Sequence, residues 1–333
     1  MNELHRIEAA GQSGRRRLEI IDAHHHFWNI ETNYHPWLCD ARPIPFRYGD
    51  YSRLKRNYLP DDYRADAATF DVAGSVAIEA EWNPADPLGE LRWLEAVDDR
   101  LPSAIVAQAW LDRPDLGEVL DAYAAHSKVR GIRHKPVVAT SPERITAGEK
   151  GSMDDPEWRA GFARLAPLGL SFDMQVPWWH LRQARRLADD FPDTSIIINH
   201  TALPSDRSAQ GLEAWQRALL EIAPAQNVFI KISGLGLPGR PWSADDNAPI
   251  VRAAIDSFGF ERCMFASNFP VDGLVASFST IFDGFRRIVA DLAPAEQAAL
   301  FAGNARRIYR IGQASPPVND ETGSPSGATD TAR

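Results

Sequence analysis

Four things are scarce or missing in this sequence, and each absence excludes something. There are two cysteines, Cys39 and Cys263, in 333 residues. A single pair cannot staple a chain of this size, and Cys263 sits in an apolar run, so a disulfide scaffold is excluded and a reducing cytoplasm is the expected home. No apolar run reaches the roughly 18 residues of a membrane span. Basic charge is not in excess: 36 Lys and Arg stand against 45 Asp and Glu, a formal net charge of −9. That balance argues against a nucleic-acid partner, which needs a basic face. The first β-rich run ends in histidines, and the glycine fingerprint of a dinucleotide-binding open sheet is missing after it.

What is present suits a globular enzyme: 44% of residues are hydrophobic and 24% charged, enough for a sizeable core under a solvated surface. The length fits two domains of ~150 residues or one α/β barrel of ~250 with insertions. Residues 1–17 place Arg15, Arg16 and Arg17 before an apolar stretch of four residues that stops at Asp22. A secretory signal needs about 7–15, so this segment is expected to be a loose arm. Residues 312–333 are rich in Ser, Pro, Gly, Thr and Asp and hold too little apolar surface to offset the entropy of ordering. The folded unit is expected over 18–311.

Within it, eight β-rich runs recur: Leu18 to Ala23, Val72 to Glu81, Ala104 to Leu111, Val129 to Lys135, Leu170 to Val176, Ser195 to His200, Val228 to Leu235 and Cys263 to Phe269. Helical spacing of apolar residues fills the intervals at Leu88 to Leu101, Leu116 to His126, Trp158 to Leu165, Leu181 to Phe191, Leu212 to Ile222 and Ile250 to Phe258. Starts mostly ~25–40 residues apart match βα units. Eight units predict a single (β/α)8 TIM barrel, with long loops after strands one and four, at 27–71 and 136–155. Both loops fall on the face where barrel enzymes build their sites.

The strand ends carry the candidate chemistry. In Asp22-Ala23-His24-His25-His26, alternation puts His24 and His26 on one face and His25 on the other. Two imidazoles at i and i+2 at a barrel mouth suit a Zn²⁺ pair or two hydrogen-bonding groups for a polar substrate. Strand six ends in Asn199-His200, and His200 is expected at the site. Strand five turns Ser171, Asp173 and Gln175 to one face, with Gln175 nearest the mouth. Arg133 could hold a carboxylate bidentately. Lys231, Ser233, Glu79 and Glu81 are divided between site and structural pairing. His180 is a lesser candidate, and His5 and His126 read as surface residues.

These residues resemble the amidohydrolase superfamily, and more closely its amidohydrolase-related branch, which includes sugar lactonases and 2-pyrone-4,6-dicarboxylate lactonase. The resemblance covers ~18–311 and rests on the run from Ile21 to Trp28, Gly131-Ile132-Arg133-His134, Phe172-Asp173-Met174-Gln175, Asn199-His200, Lys231-Ile232-Ser233-Gly234, the run from Met264 to Pro270, and Asn304-Ala305-Arg306 near Tyr309. It implies a distorted barrel that hydrolyses a ring ester or related bond. It also implies one of two modes: one divalent ion, Zn²⁺ or Mn²⁺, on His24, His26 and His200, or a metal-free mechanism. In both modes the strand-eight carboxylate takes the proton of the attacking water.

The sequence departs from the family at that carboxylate, because Asn268 occupies its position. An amide takes no proton at neutral pH and is a poorer ligand for such a cation. Asp272 could replace it as base, a histidine or Glu79 could serve, or the barrel could bind without catalysing. The favoured expectation is hydrolysis of a lactone of a sugar acid or of a small carboxylated lactone. His24, His26 and His200 then polarise the carbonyl or hold a metal. Asp272 acts as base beside Asn268, and Arg133, Gln175, Tyr34, Trp37 and Tyr48 bind hydroxyls or carboxylate. The alternatives are metal-dependent C–N hydrolysis or non-oxidative decarboxylation, and a silent sugar-acid-binding barrel. The expected partner is a small anionic or polyhydroxylated molecule, and a homo-oligomer stays open.

Overall fold

A computed structural model describes residues 18–313. The arm at 1–17, with His5, and residues 314–333 of the expected tail lie outside the described residues. Eight strands run in sequence order, each parallel to the next: β1 (Glu19–His25), β2 (Asp71–Ile78), β3 (Ala104–Gln108), β4 (Val129–Arg133), β5 (Ser171–Met174), β6 (Ile196–Ile198), β7 (Val228–Ile232) and β8 (Cys263–Phe265). This is the expected (β/α)8 barrel. The seam between β8 and β1 closes just beyond the end of β8, where Asn268 N donates to His24 O and His26 N donates to Phe269 O, both at 2.8 Å. Asp22 ties the same seam. Its carboxylate accepts from Ser267 N (2.8 Å), Ser267 Oγ (2.5 Å) and the Tyr63 hydroxyl (2.9 Å).

All eight β-rich runs are strands, but most ladders stop short of the runs' C-terminal ends. Past Ile78, Arg133, Ile198 and Phe265 the backbone leaves the sheet to aim side chains at the mouth. Glu81 and Asn268 there have φ near +55°, a region non-glycine residues rarely enter. Of the helices, Gly89–Val97, Leu116–Ala124, Pro156–Phe162, Leu181–Asp190, Ala209–Ile222 and Ala244–Phe258 lie where spacing predicts them. Phe278–Ile288 is a helix beyond those expected. Ser277 Oγ accepts from Thr280 N to cap it, and it buries Phe278, Ile281, Phe282, Phe285 and Ile288. Pro60–Asp66 is another, and it delivers Tyr63 to Asp22.

The core has two parts. Outside the sheet, Ile20, Ile105, Ile132, Phe172, Ile196 and Ile230 pack on helix residues such as Trp158, Phe162, Trp215 and Phe285. Inside, Ile21, Val76, Val106, Ile197 and Met264 pack with Ala302, Ala305, Ile308 and Tyr309 of the C-terminal segment. A buried ion pair crosses this interior. Lys231 Nζ donates to Asp173 at 2.5 Å, and the Tyr309 hydroxyl lies 3.0 Å from both Asp173 oxygens. Lys231, left open by the sequence, is therefore the partner of Asp173. No helix of the described residues is long and apolar enough to cross a membrane.

Candidate active site

Strand alternation separates the three histidines as expected. His25 turns outward, where its Nε2 meets Ser75 Oγ at 2.9 Å and its ring packs against Phe27 and Tyr63. His24 and His26 turn inward with their Nε2 atoms 3.3 Å apart. His26 Nδ1 lies 2.8 Å from the Ile78 carbonyl oxygen. A carbonyl only accepts, so His26 carries its proton on Nδ1 and presents Nε2 as a lone pair. His24 then donates Nε2–H to it, and His24 Nδ1 is buried without a protein partner.

His200 joins them, its ring centroid 4.5 Å from that of His24. It stands in a left-handed turn, with φ between 52° and 57° from His200 through Leu203. Left-handed geometry costs roughly 1–2 kcal/mol per L-residue, so surrounding packing holds this turn. One anchor is the 2.9 Å contact of His200 Nδ1 with Ser233 Oγ. All three inward imidazoles titrate well below the usual histidine range. Burial is the largest cause for each; next come His200 and Lys231 for His24, Arg133 for His26, and Arg47 and Arg133 for His200. They are neutral at pH 7.

Arg133 stands in the cavity wall with its guanidinium spread over three acceptors. Nε pairs with the Glu79 carboxylate, Nη2 donates to Glu79 O at 2.6 Å and Nη1 to Gln175 Oε1 at 3.1 Å. Glu79 and Glu81 do not share a face, because β2 ends at Ile78; Glu81 turns to the mouth and pairs with Lys135. A cavity of about 270 Å³ opens above, walled by His26, His200, Arg133, Gln175, Asn268, Trp37, Arg47, Glu81 and Lys135 among others. A larger groove, about 500 Å³ and lined by Arg53, Arg56, Pro270 and Ser277 among others, holds none of the site histidines.

The remaining expected residues fall elsewhere. Tyr34 is 44% exposed, and its hydroxyl donates to Asp40 at 2.8 Å; it is absent from the cavity wall. Tyr48 and Asp272 are buried behind the wall. Asp272 Oδ1 accepts from Asn268 Nδ2 (2.6 Å), the Tyr48 hydroxyl (2.9 Å) and Arg47 Nη2 (3.2 Å). Burial raises its pKa, and Arg47, Asn268 and Tyr48 oppose the shift. With its amide nitrogen committed to Asp272, Asn268 has its carbonyl oxygen left to offer. His180 is structural: its Nε2 accepts from Ala139 N at 2.9 Å, fastening the loop after β4. His126 pairs with Glu95 near the surface. His134 Nδ1 accepts from Leu111 N and Trp158 Nε1.

The donor set does not fit a resident divalent ion. Among the described residues no three His, Cys, Asp or Glu side chains are grouped to hold one. The strand-eight position offers an amide, and His24 lacks the Nδ1 partner that usually orients a metal-bound imidazole. The expected ligands His24, His26 and His200 thus meet as rings, without forming a three-donor cage.

The closed parallel barrel, with histidines at the end of β1 and a polar mouth, is matched by the family comparison: the chain belongs to the amidohydrolase family, which it matches over residues 21–311. Enzymes of this family act on small molecules. The chain is 40% identical over 296 residues to the uncharacterized protein y4mH of Sinorhizobium fredii, covering 88% of this chain and 99% of that one. It is 28% identical over 303 residues to an L-fucono-1,5-lactonase of Burkholderia multivorans, covering 87% and 96%. Its fold is similar to the crystal structure of an amidohydrolase from Burkholderia multivorans with bound Zn, at TM-score 0.74 and 27% identity, over 88% of this chain and 99% of that one.

Proposed function

We propose that the protein opens a lactone, of a sugar acid or a small carboxylated lactone, with activated water. The observation that carries this reading is the fixed tautomer of His26, which makes Nε2 an acceptor, held by His24, in the wall of a cavity that also carries guanidinium groups. Ester hydrolysis needs a proton acceptor for water and donors for the carbonyl oxygen. His26 Nε2 takes the water proton when the bound water displaces the His24 Nε2–H from its one lone pair. With Ser233 donating to Nδ1, His200 offers Nε2–H to the carbonyl oxygen. Water adds to the carbonyl carbon, the ring C–O bond breaks, and the alkoxide recovers the proton from His26. Arg133 holds Gln175 in place for the hydroxyls, and Trp37 walls the ring. Asp272, the base expected from the sequence, faces three donors and not the cavity, so His26 is the better placed acceptor.

The similarity to L-fucono-1,5-lactonases supports a sugar-acid lactone, and the two free cysteines suit a reducing cytoplasm. The test is a panel of aldono- and pyrone-type lactones followed by acid release, with and without a chelator. Turnover that survives the chelator is expected. No turnover of any member sinks the reading, and turnover restored only by added Zn²⁺ or Mn²⁺ replaces it with a metal mechanism.

A further inference from the structure

The loop after β1 reaches across the barrel mouth, and one of its charged groups enters the cavity wall. Arg47 is 225 residues from Asp272 in sequence, yet its Nη2 donates to Asp272 Oδ1 at 3.2 Å. The Tyr48 hydroxyl donates to the same oxygen at 2.9 Å, and Asn268 Nδ2 at 2.6 Å. One carboxylate oxygen therefore joins the loop to the end of strand eight. Two glycines after β7 form the seat. A Cβ on Gly234 would stand 2.7 and 2.8 Å from the Arg47 guanidinium nitrogens and 2.8 Å from His200 Nδ1; one on Gly236 would stand 3.2 Å from the Tyr48 hydroxyl. Only bare backbone leaves room for Arg47 and His200 side by side. The loop is stiffened further by Phe46 stacked on Trp37, with 6° between the planes.

The two guanidinium groups at the mouth are not equivalent. Arg133 spends Nε, Nη1 and Nη2 on protein acceptors. Arg47 spends Nη2 alone; among the described residues its Nε and Nη1 meet no protein acceptor, and its side chain is 28% exposed. It has the donors a ligand could use.

We propose that Arg47 binds the acyl oxygen of the substrate and the carboxylate of the acid product, and that Asp272 is a positioning residue that pins it, with Tyr48, over the cavity. This rests on the lactone reading above. It gives Asp272 a role that needs no access to water, in keeping with its place behind the wall.

The experiment compares wild type with Arg47→Met, Tyr48→Phe, Asp272→Asn and the Arg47→Met/Asp272→Asn double variant. Three readouts are taken: backbone hydrogen exchange over 44–51, calorimetric binding of D-gluconate, and KM and kcat on a lactone the panel yields. Loss of a charged hydrogen bond weakens binding by about 10- to 100-fold. Arg47→Met is therefore expected to raise KM and weaken gluconate by at least about tenfold. Asp272→Asn should speed exchange over 44–51 and raise KM while kcat falls less than tenfold, and the double variant should add little to Arg47→Met. The milder Tyr48→Phe keeps the carboxylate and should speed the same amides. Gluconate binding equal in wild type and Arg47→Met overturns the role of Arg47, with or without lactone turnover. Unchanged exchange in Asp272→Asn overturns the pin. A kcat loss of about 10³ at unchanged KM, with the acid limb of the pH profile gone, would make Asp272 the base. If no lactone is turned over, the lactone reading fails on the panel alone, while exchange and gluconate binding still decide this proposal.

Discussion

At the scale of the residue, one carbonyl oxygen sets the chemistry of the histidine cluster. Ile78 O fixes the proton on His26 Nδ1, which turns Nε2 into an acceptor toward His24 and the cavity. The sequence shows that His24 and His26 share a face, since that follows from strand period alone. It cannot show which nitrogen is protonated, because the partner carbonyl comes from another strand 52 residues on. The same limit hid Arg47: the loop at 27–71 holds several arginines, and only the seat at Gly234 singles this one out. For the cluster, His24→Ala and His200→Ala are each expected to lower kcat/KM on the accepted lactone by about 10² or more, the range for losing a group at the carbonyl. Wild-type rates in both would remove them from the mechanism.

At the scale of the element, β-rich runs and helical spacing were legible because each follows from a local period. Strand ends were less so. Glu79 and Glu81 share a face on paper, but the ladder stops at Ile78 and Glu81 turns by a positive φ rather than by pleat. Helix packing yields a prediction that contradicts propensity. Glycine to alanine within a helix ordinarily gains roughly 1 kcal/mol. A Cβ on Gly161, in Pro156–Phe162, would lie 1.9 Å from the Leu111 carbonyl oxygen and 2.8 Å from Leu116 Cδ2. Overpacking of this kind costs about 1–3 kcal/mol. Gly161→Ala should therefore lower the denaturant midpoint with an unchanged m-value; a rise in the midpoint would show that this helix can move off the β3 loop freely.

At the scale of the whole molecule, closure buries ionisable groups that an unfolded chain would titrate normally. His24, His25, His26 and His200 are all held below the ordinary histidine pKa by burial, His25 at about 3. Below pH ~6.5 the unfolded chain takes up protons the folded barrel refuses, so stability falls with pH by up to ~1.4 kcal/mol per pH unit for each histidine. Asp22 works in the opposite sense. Burial lifts its pKa from 3.8 to about 6, so between these values the folded form holds the extra proton and gains stability as pH falls. Glu90 and Asp272, also raised by burial, act with Asp22, and His35 and His134, also lowered by burial, act with the other histidines, so the histidines remain the larger group. The melting temperature should drop steadily between pH 6.5 and 5, and a flat profile would show that the histidines titrate normally in the fold.

The sequence by itself determined the barrel, the inward and outward sorting of the β1 histidines, and the family, because period and strand-end motifs are local. The tertiary structure decided the rest: which cations are already paired, which way Asp272 faces, which imidazole nitrogen is the acceptor, and how the β1 loop seats on the β7 glycines. The physical reason is distance along the chain. Arg47 to Asp272, His26 to Ile78 and Lys231 to Asp173 are each tens to hundreds of residues apart, and only closing the barrel brings them within hydrogen-bond range.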